Sequence, residues 1–108
     1  MPTTEYSQPE PRPEERRRLP LFSLGEVVAT PGALTACEEA LADPRVYLRR
    51  HVTGDWGDLE RDDKAANDEA LTTGARILSA YSLPTDERLW IITEADRAYT
   101  TLLTPLEY

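Results

Sequence analysis

The fold class follows from three apolar runs in the second half of the chain: Arg76-Ile77-Leu78-Ser79-Ala80-Tyr81-Ser82-Leu83, Arg88-Leu89-Trp90-Ile91-Ile92-Thr93 and Ala98-Tyr99-Thr100-Thr101-Leu102-Leu103. Each run is rich in β-branched and aromatic residues, and the links at 84–87 and 94–97 have the length and polarity of hairpin turns. The pattern predicts a three-stranded antiparallel meander. Because both faces of the central run are apolar, helices should cover one face, and the first strand, the tail or a partner should cover part of the other.

Two proline-containing dipeptides mark helix starts before the meander. Thr30-Pro31 and Asp43-Pro44 each join a capping side chain to a proline that suits the first helical turn. They predict helices that start at 31 and at 44, and the second should end at about Val52 just before Thr53-Gly54. A third helix is predicted over residues 59–73, with Asp58 as its cap and Gly74 as its end.

The chain is predicted to form one α+β domain over residues 21–108, preceded by a flexible tail. A short strand, interrupted at Gly25, is expected over 21–29 and should close onto an edge of the sheet. The order is then an N-terminal strand, two to three helices on one face, and the three-stranded meander. Residues 1–20 hold five of the nine prolines, few large apolar side chains and balanced charges. The domain therefore carries nearly all of the net charge of -8.

Composition argues against several classes of function. A net charge of -8 disfavours nucleic acid as a direct partner, because affinity for phosphate backbones comes from clustered Lys and Arg. The single cysteine, Cys37, excludes a disulfide framework and every multi-cysteine metal site, and its place on an apolar helical stripe predicts a buried, inert thiol. No run approaches the ~18 apolar residues of a membrane span, and no signal peptide is recognisable. We expect a cytoplasmic protein with no metal and no other cofactor.

His51 is the only histidine, and it is the one side chain able to titrate near neutral pH unaided. It lies at the end of the second predicted helix, directly after Arg49 and Arg50. One interpretation is a general base on a basic helix end. The other, which the sequence favours, is a partly exposed histidine whose protonated form the helix dipole stabilises.

The most unusual stretch of the composition lies between residues 55 and 69, where seven carboxylates stand against Arg61 and Lys64. A calcium loop would space its oxygen ligands alternately, and this stretch does not. Two explanations remain: a solvated helix face, or an acidic surface that docks a basic protein, including mimicry of nucleic acid toward a DNA- or RNA-binding enzyme. Charge count alone does not separate them. The residues predicted to bind a protein are Asp55, Trp56, Asp58, Glu60, Asp62, Asp63 and Glu69.

Several runs of the chain resemble a family of small proteins. They are Gly-Glu-Val-Val-Ala-Thr-Pro-Gly-Ala-Leu at 25–34, Arg-His at 50–51, Gly-Asp-Trp-Gly-Asp-Leu at 54–59, Lys-Ala-Ala-Asn-Asp at 64–68, Arg-Ile-Leu-Ser-Ala-Tyr at 76–81 and Trp-Ile-Ile-Thr-Glu-Ala-Asp-Arg at 90–97. The family consists of plasmid-related proteins of unknown function, encoded on plasmids and integrative elements. The resemblance covers residues 23–108, and it implies a mobile-element context without implying any chemistry.

A second resemblance is one of layout. Helices followed by an antiparallel meander, with a histidine before the sheet, are similar to small metal-independent ribonucleases of the barnase, colicin and RelE type. That resemblance implies His51 as general base or acid, Arg97 and Arg76 beside the phosphate, and Tyr81 or Thr100 to position it. Such enzymes usually present a basic cleft, which a charge of -8 does not favour. The favoured interpretation of Asp96 and Arg97 is that they are ordinary residues of a hairpin turn.

The sequence therefore predicts a small acidic accessory protein of a mobile element, which acts without catalysis by binding a basic protein partner, including a host defence protein. The alternative is a ribonuclease toxin or effector centred on His51. No membrane partner is expected, and the sequence leaves a homodimer open.

Overall fold

The computed structural model describes residues 19–108, so almost all of the predicted tail at 1–20 lies outside the described residues. The α+β class is confirmed. The elements, in chain order, are β1 (Glu26–Ala29), α1 (Pro31–Glu39), α2 (Pro44–Val52), α3 (Arg61–Thr73), β2 (Ile77–Ser82), β3 (Arg88–Thr93), β4 (Tyr99–Leu103) and a final 3-10 turn (Pro105–Glu107).

The sheet has four strands in the order β1-β4-β3-β2. The predicted antiparallel meander is present as β2, β3 and β4, while β1 joins the edge of β4 in parallel, so the complete sheet is mixed. The strand predicted over 21–29 is shorter than expected and begins at Glu26. Gly25, with φ of +63°, sits against the backbone of Arg97 and Ala98, and this close approach delays the start of the strand.

The hydrophobic core lies between one face of the sheet and helices α1 and α2. Alternation along the strands turns Tyr81, Leu89 and Ile91 toward this face, and all three are fully buried. Helix α1 contributes small residues, which allow it to approach the sheet closely. The buried residues of this cluster are Ala33, Ala36, Cys37, Ala40, Tyr81, Leu83, Leu89, Ile91 and Leu102. Cys37 is buried as predicted, and burial raises the pKa of its thiol.

The opposite face of the sheet is only partly covered, and the cover comes from the last residues of the chain. The ring of Tyr108 lies edge-on to Trp90, with 5.4 Å between centroids. The carboxylate of Glu107 anchors this segment to the start of α1, because it accepts hydrogen bonds from Thr30 Oγ1 at 2.6 Å and from the Gly32 amide at 3.0 Å. These hydrogen bonds lower the pKa of Glu107. The sequence had not indicated this element as the cover.

Helix α3 differs from its prediction in start and in position. It begins at Arg61 rather than at residue 59, and its N-cap Glu60 makes no side-chain capping bond. The expected cap, Asp58, instead accepts a hydrogen bond from Ser82 Oγ at 2.7 Å. The helix ends at Gly74 in the left-handed conformation, as predicted. It contacts the edge strand β2, where Ala70 packs with Ile77 and Trp56 in a second, smaller buried cluster, whereas α1 and α2 cover the main core.

Two outward-facing residues of β2, Leu78 and Ala80, are paired with the segment that precedes the strand. The side chain of Asn67 pairs with Leu78 like a neighbouring strand: its Nδ2 donates to the Leu78 carbonyl at 2.7 Å, and its Oδ1 accepts from the Leu78 amide at 3.2 Å. The Ala80 amide donates to the Trp56 carbonyl at 3.2 Å, and the Ala80 carbonyl accepts from the Asp58 amide at 2.6 Å. These bonds leave little of this edge free to pair with another strand.

Gly57 and Gly74 form a matched pair that tests how closely the loop approaches β2. Both have positive φ, +79° and +81°, but a Cβ on Gly57 would overlap the Ala80 carbonyl oxygen, whereas a Cβ on Gly74 meets nothing within 4 Å. We expect Gly57→Ala to lower the free energy of unfolding by about 3 kcal/mol and Gly74→Ala by about 1 kcal/mol, measured by urea denaturation. Equal losses would contradict the close approach.

Candidate functional site

His51 lies in the interior, between α2 and the core face of the sheet, and its side chain is fully buried. Its Nδ1 is 2.6 Å from Ser79 Oγ on β2, and its Nε2 is 2.9 Å from Thr93 Oγ1 on β3. Thr93 Oγ1 is in turn 2.7 Å from Thr100 Oγ1 on β4. One histidine thus links two strands directly and a third through a hydroxyl.

The end of this chain of hydrogen bonds fixes the direction of every bond in it. Thr100 Oγ1 donates its one hydrogen to the Leu24 carbonyl at 2.7 Å, so Thr93 must donate to Thr100. The hydroxyl of Thr93 can then only accept from His51, which assigns the proton to Nε2. Nδ1 is left as the acceptor for the Ser79 hydroxyl. With a neutral imidazole, every polar side-chain atom from Ser79 to Thr100 in this series of hydrogen bonds has a partner.

Burial and the charge of Arg97 lower the pKa of His51 to about 3. The expectation of a partly exposed histidine, stabilised in its protonated form, is therefore wrong: the imidazole is enclosed, and the rings of Phe22 and Trp56 pack edge-on to it at 5.2 and 6.1 Å. A general base needs a pKa near the working pH and a path to its substrate. His51 has both ring nitrogens bonded within the core.

Tyr81, Thr100 and Arg97, three of the four other residues of the ribonuclease hypothesis, also have structural partners. The hydroxyl of Tyr81 donates to the Asp55 carbonyl at 2.6 Å, and burial raises its pKa. Thr100 is fully buried in the chain described above. Arg97 occupies a turn position with φ of +60°, and its guanidinium donates to backbone carbonyls at the end of α3, among them Ala70 at 3.1 Å. The interpretation of Arg97 as a turn residue is confirmed.

The residues predicted to bind a protein divide into two groups, those with partners inside the protein and those exposed to solvent without a salt bridge. Trp56 is 4% exposed and donates from its indole Nε1 to Asp68 at 2.9 Å, so it anchors the loop and is not available to a partner. Asp55 is exposed but pairs with Arg50 at 2.7 Å. The remaining carboxylates are all exposed to solvent. Asp58 and Glu60 precede α3, and Asp62, Asp63 and Glu69 belong to the helix.

A groove of about 450 Å³ lies beneath this acidic helix, between α3 and the partly covered face of the sheet. Its floor is apolar and is formed by Leu78, Ala80 and Trp90, with Trp90 half-buried. Leu59 and Ala66 add apolar surface on the side of the helix. The groove is the place where the acidic helix meets exposed apolar surface.

Charged side chains of both signs surround the groove. Asp58 and Asp63 stand on the side of the helix, and Arg76 and Arg88 on the side of the sheet. The hydrogen bond from Ser82, together with the nearby positive charge of Arg88, lowers the pKa of Asp58, which therefore stays ionised at neutral pH. Arg76 is held in place by a bond of 3.1 Å from its Nη1 to the hydroxyl of Tyr108.

The fold buries most of the residues of the ribonuclease hypothesis and exposes most of the acidic residues predicted to bind a protein. Around His51 the structure brings His51 and Thr100 into one closed hydrogen-bonded chain, and at the groove it brings Asp58 and Asp63 together with residues that sequence reasoning had not selected. These are chiefly Trp90, Arg88 and Asn67. The apolar residues on both faces of β3 were the signal for Trp90, because they required cover on the second face.

Comparison of the chain with protein-family models, with curated proteins and with solved structures finds no match. None of the helices between residues 19 and 108 is long and apolar enough to cross a membrane. Over the same residues, no group of three or more His, Cys, Asp or Glu side chains is placed to hold a metal ion.

Proposed function

We propose that this protein is a non-enzymatic binding module that receives a basic segment of a partner protein along α3. The groove between α3 and the sheet would receive the apolar side chain of that segment. The observation that carries this proposal is the position of the groove, which has Trp90 on its floor and is lined by Asp63 of α3 and by Asp58 just before the helix.

The carboxylates of α3 are exposed and form no salt bridge within the described residues, so they can interact with a partner. Within residues 19–108 the salt bridges are Asp43 with Arg45 and Asp55 with Arg50, and neither involves a carboxylate of α3. Helix α3 carries four carboxylates against Arg61 and Lys64, and an excess of exposed charge of one sign raises the rate of encounter with a partner of opposite sign.

Charge steers a complex, but buried anchors usually hold it together. Interface energy concentrates in a few well-packed aromatic or apolar contacts at the centre, surrounded by a polar rim. The half-buried Trp90, with Leu78 and Ala80 beside it, offers such a centre. Asp58 and Asp63 would face the basic groups of the partner, and Arg76 and Arg88 would face its carbonyls or carboxylates. An extended peptide with one apolar and one or more basic side chains fits this chemistry.

The ribonuclease alternative has no observation in its favour. His51 is fully buried, and Tyr81, Arg97 and Thr100 are bonded to backbone or to other core side chains. The mobile-element context, a cytoplasmic location, and a host defence or nucleic-acid-handling protein as the partner belong to the proposal. They rest on the sequence resemblance and on the acidic composition.

A pair of charge reversals tests the proposal. Asp62→Lys with Asp63→Lys reverses two exposed carboxylates of α3, and Glu38→Lys with Glu39→Lys makes the same change in net charge on exposed residues of α1. We expect the first pair to weaken capture of a basic partner at least about tenfold, equivalent to about 1.4 kcal/mol, and the second pair to leave it within about twofold. The measurement is a titration of the recovered partner against each immobilised variant. Equal weakening by both pairs would show that only net charge matters.

A further inference from the structure

The two edges of the sheet differ in their protection. On the edge of β2 the outward backbone groups of Leu78 and Ala80 are paired with Asn67, Trp56 and Asp58. Strand β1 forms the other edge, and within residues 19–108 it pairs only with β4. All four residues of β1 are exposed, and Val27 and Val28 are 42% and 40% exposed. An open edge strand with apolar side chains is a template for another strand.

The bonds of β1 to β4 show which of its backbone groups are free. The amides of Glu26 and Thr30 donate to the carbonyls of Ala98 and Leu102, at 2.9 and 3.0 Å. Because a strand alternates with a period of two, Val28 also faces β4, and the N–H and C=O groups of Val27 and Ala29 point away from the sheet. The free backbone N–H and C=O groups therefore belong to Val27 and Ala29, with Val28 between them.

We infer that β1 pairs antiparallel with β1 of a second copy, about a two-fold axis at Val28. In this register Val27 of one copy faces Ala29 of the other and exchanges two hydrogen bonds with it, and the symmetric pair adds two more. Val28 faces Val28 in the non-hydrogen-bonded position, where side chains are closest. Glu26 faces Thr30, so no two like charges are opposed.

A second copy suits this edge better than an unrelated strand does. The four residues are self-complementary in hydrogen bonding and in size, and the strand contains no lysine, proline or bulge of the kind that prevents edge pairing. Gly25 and Pro31 bound the strand on either side, so the same short segment of each copy would pair along its whole length. The pairing would join two four-stranded sheets into one of eight strands and leave the groove at β2 and β3 on the far side of each copy.

The test combines a mass measurement with a cross-link that depends on register. We expect sedimentation equilibrium of the full chain to show a concentration-dependent approach to twice its mass of 12.2 kDa. Opposed residues in the non-hydrogen-bonded position have Cα atoms about 4.5 Å apart, within disulfide range, so Val28→Cys should form a covalent dimer under mild oxidation. Val27→Cys should not, because its own copy lies more than about 7 Å away. The native Cys37 is 3% exposed and gives little background.

Two further results would settle the matter. Val27→Pro removes one outward amide per copy and leaves the amides that face β4, so it should be monomeric with an unchanged circular dichroism spectrum. A wild type that stays monomeric at every concentration would overturn the inference. Equal cross-linking of V27C and V28C would overturn it as well, because the contact would then lack the predicted register.

Discussion

His51→Ala is expected to lower the free energy of unfolding by about 4 kcal/mol, the largest loss from any single substitution of a polar residue here. The change removes a fully buried ring, leaves the hydroxyl of Ser79 without its partner and removes the donor to the hydroxyl of Thr93, which keeps its bond to Thr100. Each buried polar group without a partner costs about 1–3 kcal/mol, and the cavity adds its own cost. Urea denaturation at pH 7.5 measures the loss.

Arg49→Ala provides the control for this substitution. Arg49 lies two residues earlier on the same helix and is exposed, so its loss should be within about 0.5 kcal/mol. A loss below about 1 kcal/mol for His51→Ala would show that the buried chain does not contribute to stability. Cleavage of RNA that depends on His51, in a variant with unchanged stability, would favour the enzyme instead.

Acid should destabilise the protein before the pH falls below the ordinary pKa values of Asp43, Asp58 and Glu107, the carboxylates whose pKa the fold lowers. The pKa of His51 falls from an ordinary 6.5 to about 3 in the folded protein, so the unfolded chain binds a proton more readily than the folded one. Stability is therefore complete above pH 6.5 and falls as the pH drops. By pH 4.5 the loss should reach about 2.5 kcal/mol, because each pKa unit corresponds to about 1.36 kcal/mol.

His51→Gln, which cannot titrate, should be flat between pH 6.5 and pH 4.5 in the same denaturation series. The carboxylates with lowered pKa, Asp43, Asp58 and Glu107, have ordinary values of 3.8, 3.8 and 4.5. Their contribution is present above those values and is lost only at lower pH. An equal slope in wild type and variant over this window would contradict a neutral, buried His51.

Local sequence signals predicted much of the fold because they act over a few residues. The caps at Thr30 and Asp43 accept backbone hydrogen bonds from Ala33 and Arg45, as the dipeptides with proline indicated. The three runs of the meander needed only their alternation and their polar links. Where a contact distant in sequence competes, the local rule failed: Asp58 bonds to Ser82 and so does not cap α3.

The role of His51 could have been predicted from the strands rather than from the histidine. Ser79, Thr93 and Thr100 fall on the inward positions of three otherwise apolar strands, and buried hydroxyls require partners. The only nearby side chain with two ring nitrogens is His51. The sequence around it, with Arg49 and Arg50, suggested a solvated helix end because those arginines point elsewhere.

The groove was beyond prediction from the sequence, because it depends on how α3 lies along β2. Asn67 fixes that position through its two bonds to Leu78, and nothing in the run from 64 to 68 distinguishes this asparagine from an exposed one. The acidic composition identified the helix, but the apolar floor beneath it required the tertiary arrangement.

The most direct test of the groove as the binding site is a photo-crosslink from within it. Ala66 is exposed and lines the groove, so a photoreactive amino acid fits there with little disturbance, whereas Leu41, 94% exposed in the link between α1 and α2, serves as the control. In cells that express each variant, we expect a specific adduct with a basic protein from position 66 and none from position 41. An adduct from position 41 with none from position 66 would contradict the proposed binding site.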